Sequence, residues 1–191
     1  MSSIKKTMNP LKHPDQRVGV FIDVQNLYYS AKNLFGAKVN FGNIVREVLA
    51  GRKLVRAIAY VVRTEQGDEK PFFDALYNLG IETKERDLQI FFGGAKKADW
   101  DVGITVDAIR LSPSLDAIVI VSGDGDFIPL VEYLRNQGKQ VEVAAFRNTT
   151  SSKLVEEADH FMDLGEDKSK FLIIDRKHLK RKGPAAPATH D

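Results

Sequence analysis

Val119-Ile120-Val121-Ser122-Gly123-Asp124-Gly125-Asp126-Phe127 is the stretch whose reading decides the fold. Residues 116–121 are mostly apolar or β-branched and read as a strand buried on both faces. Apolarity then stops. Ser122, Gly123 and Gly125 let the backbone turn sharply between two carboxylates, and Phe127, Leu130, Val131 and Leu134 follow at helical spacing. Two aspartates at the end of a buried strand are costly unless charge is wanted there. That edge of an open α/β sheet is where ligands bind. Capping the next helix is the plainer role open to Asp124 and Asp126.

The pattern repeats on either side. Residues 17–23 form another buried strand, and it too ends on an aspartate, Asp23. Asn26 can begin a helix, a second helix is expected over 43–50, and 54–62 is a long apolar strand. A helix from about residue 69 tolerates Pro71 in its first turn and buries Phe72, Phe73, Leu76 and Leu79. Residues 81–86 read as a less apolar strand near a sheet edge, with 89–92 extending it or pairing beside it. A helix over 99–111 is apolar nearly all round and is expected to lie deep. Residues 140–146 give a fifth strand. Ser151 or Ser152 caps a short helix to 158, and 161–164 adds an edge strand.

Strands alternating with helices predict an α/β fold in three α/β/α layers, with a mainly parallel central sheet. In the order 3-2-1-4-5, strands one and four are neighbours, which puts Asp23 beside Asp124 at the switch point. The expected organisation is a disordered arm over 1–16, one domain over 17–164, and a basic, flexible tail over 165–191.

The 191 residues include no cysteine, which excludes a disulfide framework and thiolate chemistry. The four histidines lack ligand spacing, so zinc is not expected. No apolar run reaches the roughly 20 residues of a membrane span, and the expected setting is the cytoplasm. The net charge of +2 divides into +3 over 1–17, +3 over 165–191 and −4 between them. An acidic body with basic ends suits cations in a pocket and polyanions on the flanks.

Three segments send carboxylates to one place: Asp23, the pair Asp124 and Asp126, and Asp99 or Asp101 at the start of the fourth helix. Gathered like charges repel, and a divalent cation removes the problem. Magnesium prefers oxygen ligands, taking one or two carboxylates and keeping waters. Asp23 and Asp124 are the expected direct ligands because both leave buried strands. Asp99 and Asp101 are about 200° apart on a helix, so one division makes Asp99 the cap and Asp101 the inward carboxylate. Asp107, about 120° from Asp101, is expected to be structural or to stand behind the ligands. Trp100 either stacks a base or packs in the core.

Phe21-Ile22-Asp23-Val24-Gln25-Asn26-Leu27, Lys97-Ala98-Asp99-Trp100-Asp101-Val102, Val106-Asp107-Ala108 and Ser122-Gly123-Asp124-Gly125-Asp126-Phe127-Ile128-Pro129-Leu130 together resemble the NYN domain, in its LabA-like branch. The likeness covers 17–164, and 151–159 is similar to the family's closing segment. Ala98 stands where the family commonly has glycine. The resemblance implies a PIN-like fold and a ribonuclease dependent on Mg2+ or Mn2+. It points to Asp23, Asp101, Asp124 and Asp126 as catalytic and metal-binding, with Asn26, Lys97 and Ser122 toward the substrate. The partner implied is RNA, expected single-stranded; a homo-oligomer is compatible with the sequence. The alternative is an RNA-binding or regulatory module with little turnover. A haloacid-dehalogenase-type phosphatase fails at Gln25, where that chemistry wants a second acid.

Overall fold

The computed structural model describes residues 12–63, 70–87, 89–90, 96–97 and 99–174. In chain order these form β1 (Arg17–Asp23), α1 (Val24–Phe35), β2 (Lys38–Val39), α2 (Phe41–Leu49), β3 (Lys53–Arg63), α3 (Lys70–Asn78) and β4 (Glu82–Asp87). Then come β5 (Gln89–Ile90), β6 (Lys96–Lys97), α4 (Asp101–Leu111), β7 (Ala117–Val121), α5 (Ile128–Asn136) and β8 (Gln140–Ala145). The last elements are α6 (Ser152–Glu157), β9 (His160–Asp163), α7 (Lys168–Phe171) and β10 (Leu172–Ile173).

The main sheet has six strands in the order β4-β3-β1-β7-β8-β9, and every neighbouring pair is parallel. The five strands read from the sequence keep their expected relative order. The strand expected over 161–164 is β9, at the edge of the sheet. The order differs in detail in the short β2, which was not expected and stands outside the sheet, paired antiparallel with β10.

Alternation along the strands divides the core in two. Val18, Val20, Ile22 and Ala59 pack beneath α1 and α2, while Phe21, Ile58, Tyr60 and Ile120 face α4 and α5. Helices cover both faces, which is why the strands read as unbroken apolar runs.

Three expectations change. First, α4 begins at Asp101, not Asp99, and Trp100 occupies its N-cap position without a side-chain cap. Nor does α4 lie deep: Ile104, Asp107 and Ala108 are buried, but Val102 is 73 % exposed, and Val106 and Ile109 also face outward. It rests one face on the sheet, so its outward valines meet no covering layer.

Second, α3 buries only Leu76 fully, with Phe72 and Phe73 partly covered and Leu79 exposed. Third, residues 165–174, read as tail, include α7 and β10. Phe171 and Leu172 are buried against the α1–α2 face, and Asn43 and Asn40 bond the Lys170 and Phe171 carbonyls.

At the other end, residues 12–16 meet the N-terminal edge of the sheet. There the Lys12 ammonium lies 3.4 Å from the buried Glu142 carboxylate. Residues 1–11 and 175–191, including the basic cluster from Arg176, lie outside the described residues.

Candidate metal centre

β1 and β7 are neighbours, with Ile22 level with Val121, so Asp23 and Ser122 leave the sheet side by side. Asp23 caps α1: its Oδ1 accepts from the Asn26 backbone N–H at 3.0 Å, and its Oδ2 accepts from Ser122 Oγ at 3.1 Å. The same Ser122 oxygen accepts from the Asp124 N–H at 3.2 Å. The Asn26 side chain reaches across as well, its Oδ1 accepting from the Gly123 N–H at 3.0 Å. Asp124 in turn caps the single turn 125–127, accepting from the Asp126 N–H at 3.0 Å. This chain of bonds fixes the turn that carries two acids.

Gly123 is required at its position. A Cβ there would lie 2.7 Å from Thr150 Oγ1, because the 149–151 segment packs directly on the turn and Ser151 N–H donates to the Gly123 carbonyl.

α4 brings the remaining carboxylate. Among the described residues Asp101, Asp124 and Asp126 each offer an oxygen, and these oxygens all lie within 4.8 Å of one another. Burial pushes the Asp101 carboxyl up to about 6, helped by the charges of Asp124, Asp23, Asp99 and Asp126. Burial also raises Asp23, against the bonds from Asn26 and Ser122 that favour its charged form. The structure therefore gathers Asp101, Asp124 and Asp126 and sets Asp23 on their flank, with each of its oxygens already accepting a hydrogen bond.

Trp100 packs. Its indole N–H donates to the Val61 carbonyl at 3.0 Å, and its ring meets Tyr60 edge-on with centroids 5.3 Å apart. Asp107 lies apart from the acidic group, buried, with Oδ2 accepting from Tyr60 Oη at 2.7 Å and Lys84 Nζ at 2.6 Å. Burial alone would raise its carboxyl, but these partners hold it below the ordinary value. Together Trp100 and Asp107 pin α4 to β3 and β4, and so place Asp101.

Asp99 presents its backbone oxygen to Arg86 at 2.8 Å and adds its charge to the field at Asp101. Lys97 pairs with Gln89 through the backbone in β6, and its side chain lies outside the described residues.

Sequence reasoning missed Tyr60, Lys84 and Arg86. The signal available was the alternation in Glu82-Thr83-Lys84-Glu85-Arg86, which puts Glu82, Lys84 and Arg86 on one face.

Residues 17–165 match the NYN domain family model. The chain belongs to the NYN domain family. Its relatives include the "Low amplitude and bright protein LabA" of Synechococcus elongatus, 28 % identical over 80 % of this chain and 86 % of that protein. Another is MJ0482 of Methanocaldococcus jannaschii, 27 % identical over 88 % of this chain and 62 % of that protein. A crystal structure of a Vibrio parahaemolyticus protein of unknown function, VPA0982, superposes with a TM-score of 0.77 at 31 % identity. It covers 84 % of this chain and 98 % of that one. NYN domains form a PIN-like nuclease family, and the acidic group lies within the matched residues.

Proposed function

We propose that this NYN domain hydrolyses phosphodiester bonds in single-stranded RNA, in the cytoplasm, using Mg2+ or Mn2+. The observation that carries the reading is the convergence of Asp101, Asp124 and Asp126 to within 4.8 Å, with Asp101 pushed up to about 6. The donor set fits a hard cation: it is all carboxylate oxygen, and two members are half-buried.

Asp101, Asp124 and Asp126 would hold the ion. Asp23, on the flank, fixes the turn through Ser122 and adds negative charge. A bound divalent cation supplies polarisation of the phosphate, activation of water and neutralisation of the leaving oxygen. In the net reaction water adds to phosphorus and one ester P–O bond breaks.

The protein's own part is positional. Asp126 is the exposed member of the group and faces arriving solvent and substrate. Asn26 has its oxygen committed to Gly123, which leaves its NH2 group to meet a phosphate. Ser122 has both its bonds inside the turn and acts by holding Asp23 and Asp124. Lys97 enters through the family likeness.

The test is a panel of labelled single-stranded RNAs with Mn2+, Mg2+ or chelator. Wild-type protein cleaves in either metal and stops in chelator, while Asp124→Asn binds RNA and does not cleave. RNA bound but left intact by the wild type in both metals overturns the nuclease reading and makes this NYN domain a binding module.

A further inference from the structure

We propose that Arg86 contacts a backbone phosphate of the nucleic-acid substrate at the mouth of the acidic site. The assignment rests on the nucleic-acid reading above and adds a residue that neither the motifs nor the family likeness named.

Register places it. Asp23 is level with Tyr60, and Tyr60 with Lys84, so Arg86 stands two strands from Asp23 and two residues beyond its level. That is about 10 Å across the sheet and about 7 Å outward along it. Arg86 therefore projects past the same edge that carries the acids, on the face that holds α4.

Its guanidinium is laid out for use. Cζ lies 4.6 Å from the centroid of the Trp100 ring, and one terminal nitrogen donates to the Asp99 carbonyl at 2.8 Å. Trp100 is itself fixed through Val61, so the guanidinium rests on an immobile platform one residue from Asp101. A stacked, tethered arginine loses little freedom on binding, and its remaining N–H groups match a phosphate in pairs.

The other arginines at this edge are committed. Arg63 is paired with Glu85, and Arg147 lies 3.7 Å from Asp163. Among the described residues Arg86 has no carboxylate partner, and it is exposed. Several acids a short distance away would repel a polyanion, and a cation held at their rim offsets that repulsion where the chain must pass.

The experiment uses the full chain carrying Asp124→Asn, so that the RNA survives, and measures binding of a labelled single-stranded RNA by anisotropy over a salt series in Mg2+. Arg86→Gln should raise Kd about fivefold to tenfold. It should also lower the slope of log Kd against log salt by about 0.7, the signature of one lost phosphate contact on a single strand. Arg86→Lys should keep the slope and lose part of the affinity. Mn2+ affinity, measured without Asp124→Asn, should stay within about twofold of wild type.

An unchanged Kd and slope in Arg86→Gln, beside a wild type that cleaves, overturns this assignment alone. A changed Mn2+ affinity with an unchanged slope overturns it too, and makes Arg86 a brace for the Asp99–Asp101 segment. A wild type that binds no RNA removes this assignment and the substrate reading together.

Discussion

Replacing Asp101 with asparagine should make the metal-free protein more stable while destroying its metal site. An aspartate carboxyl carried from 3.8 to about 6 corresponds to about 3 kcal/mol of desolvation and repulsion at neutral pH. The side chain is half-buried, so solvent screens part of this and about 1–2 kcal/mol remains. Asparagine forgoes the carboxylate's attraction to the α4 N-terminus, about 0.5 kcal/mol. The net gain is about 1 kcal/mol, a rise in Tm of about 2–4 °C for a chain of this length.

The sign follows from proton binding. Between 3.8 and about 6 the folded carboxyl holds a proton that the unfolded one has released, so stability falls as pH rises through that window. The advantage of Asp101→Asn is therefore full above about pH 6 and absent below about pH 4. Differential scanning fluorimetry in chelator at several pH values reads it directly. Added Mn2+ should reverse the ranking: at a hundredfold excess over Kd the wild type gains about 2.7 kcal/mol, and the variant gains far less. A variant less stable than wild type at pH 7.5 in chelator, or one stabilised equally by Mn2+, refutes the reasoning.

Two further outcomes follow from the packing. Gly103→Ala puts a Cβ 2.6 Å from Trp100 Cε3; it should cost about 1–3 kcal/mol, shift the emission of the single tryptophan and weaken Mn2+ binding through displacement of Asp101. Glu142→Gln should cost about 3–5 kcal/mol by chemical denaturation, because it strands the fully buried Arg52 guanidinium. Burial would raise the Glu142 carboxyl, but the Arg52 bond and the Lys12 charge carry it below 4.5. The wild type should therefore hold this stability above pH 4.5 and lose it as pH falls further, a loss missing from the variant.

The parts legible in the sequence were those set by local chemistry. Val119-Ile120-Val121 could only be a strand covered on both faces, and Gly123 and Gly125 between acids could only be a turn at its end. Parallel order then brought the Asp23 and Asp124 segments together. What escaped was set by partners distant in sequence. The apolar residues of α4 read as burial all round, but one sheet covers one face, and Val102 was left outside. Trp100 was ambiguous until Val61 and Gly103 appeared beside it. Asp23 read as a direct ligand because it ends a strand; position in the chain does not show that its oxygens also accept bonds from Asn26 and Ser122, which tie it to the turn. Phe171 and Leu172 sit among charged residues and lacked a visible period, although α2 and β2 offer them a surface.

The central claim is that Asp101, Asp124 and Asp126 share one divalent cation. Anomalous diffraction from crystals soaked in Mn2+ tests it most directly. The account predicts a peak within about 2.0–2.3 Å of one oxygen from at least two of these three side chains, absent from Asp124→Asn crystals. A peak held without them, or a site that stays empty at saturating Mn2+, would contradict it.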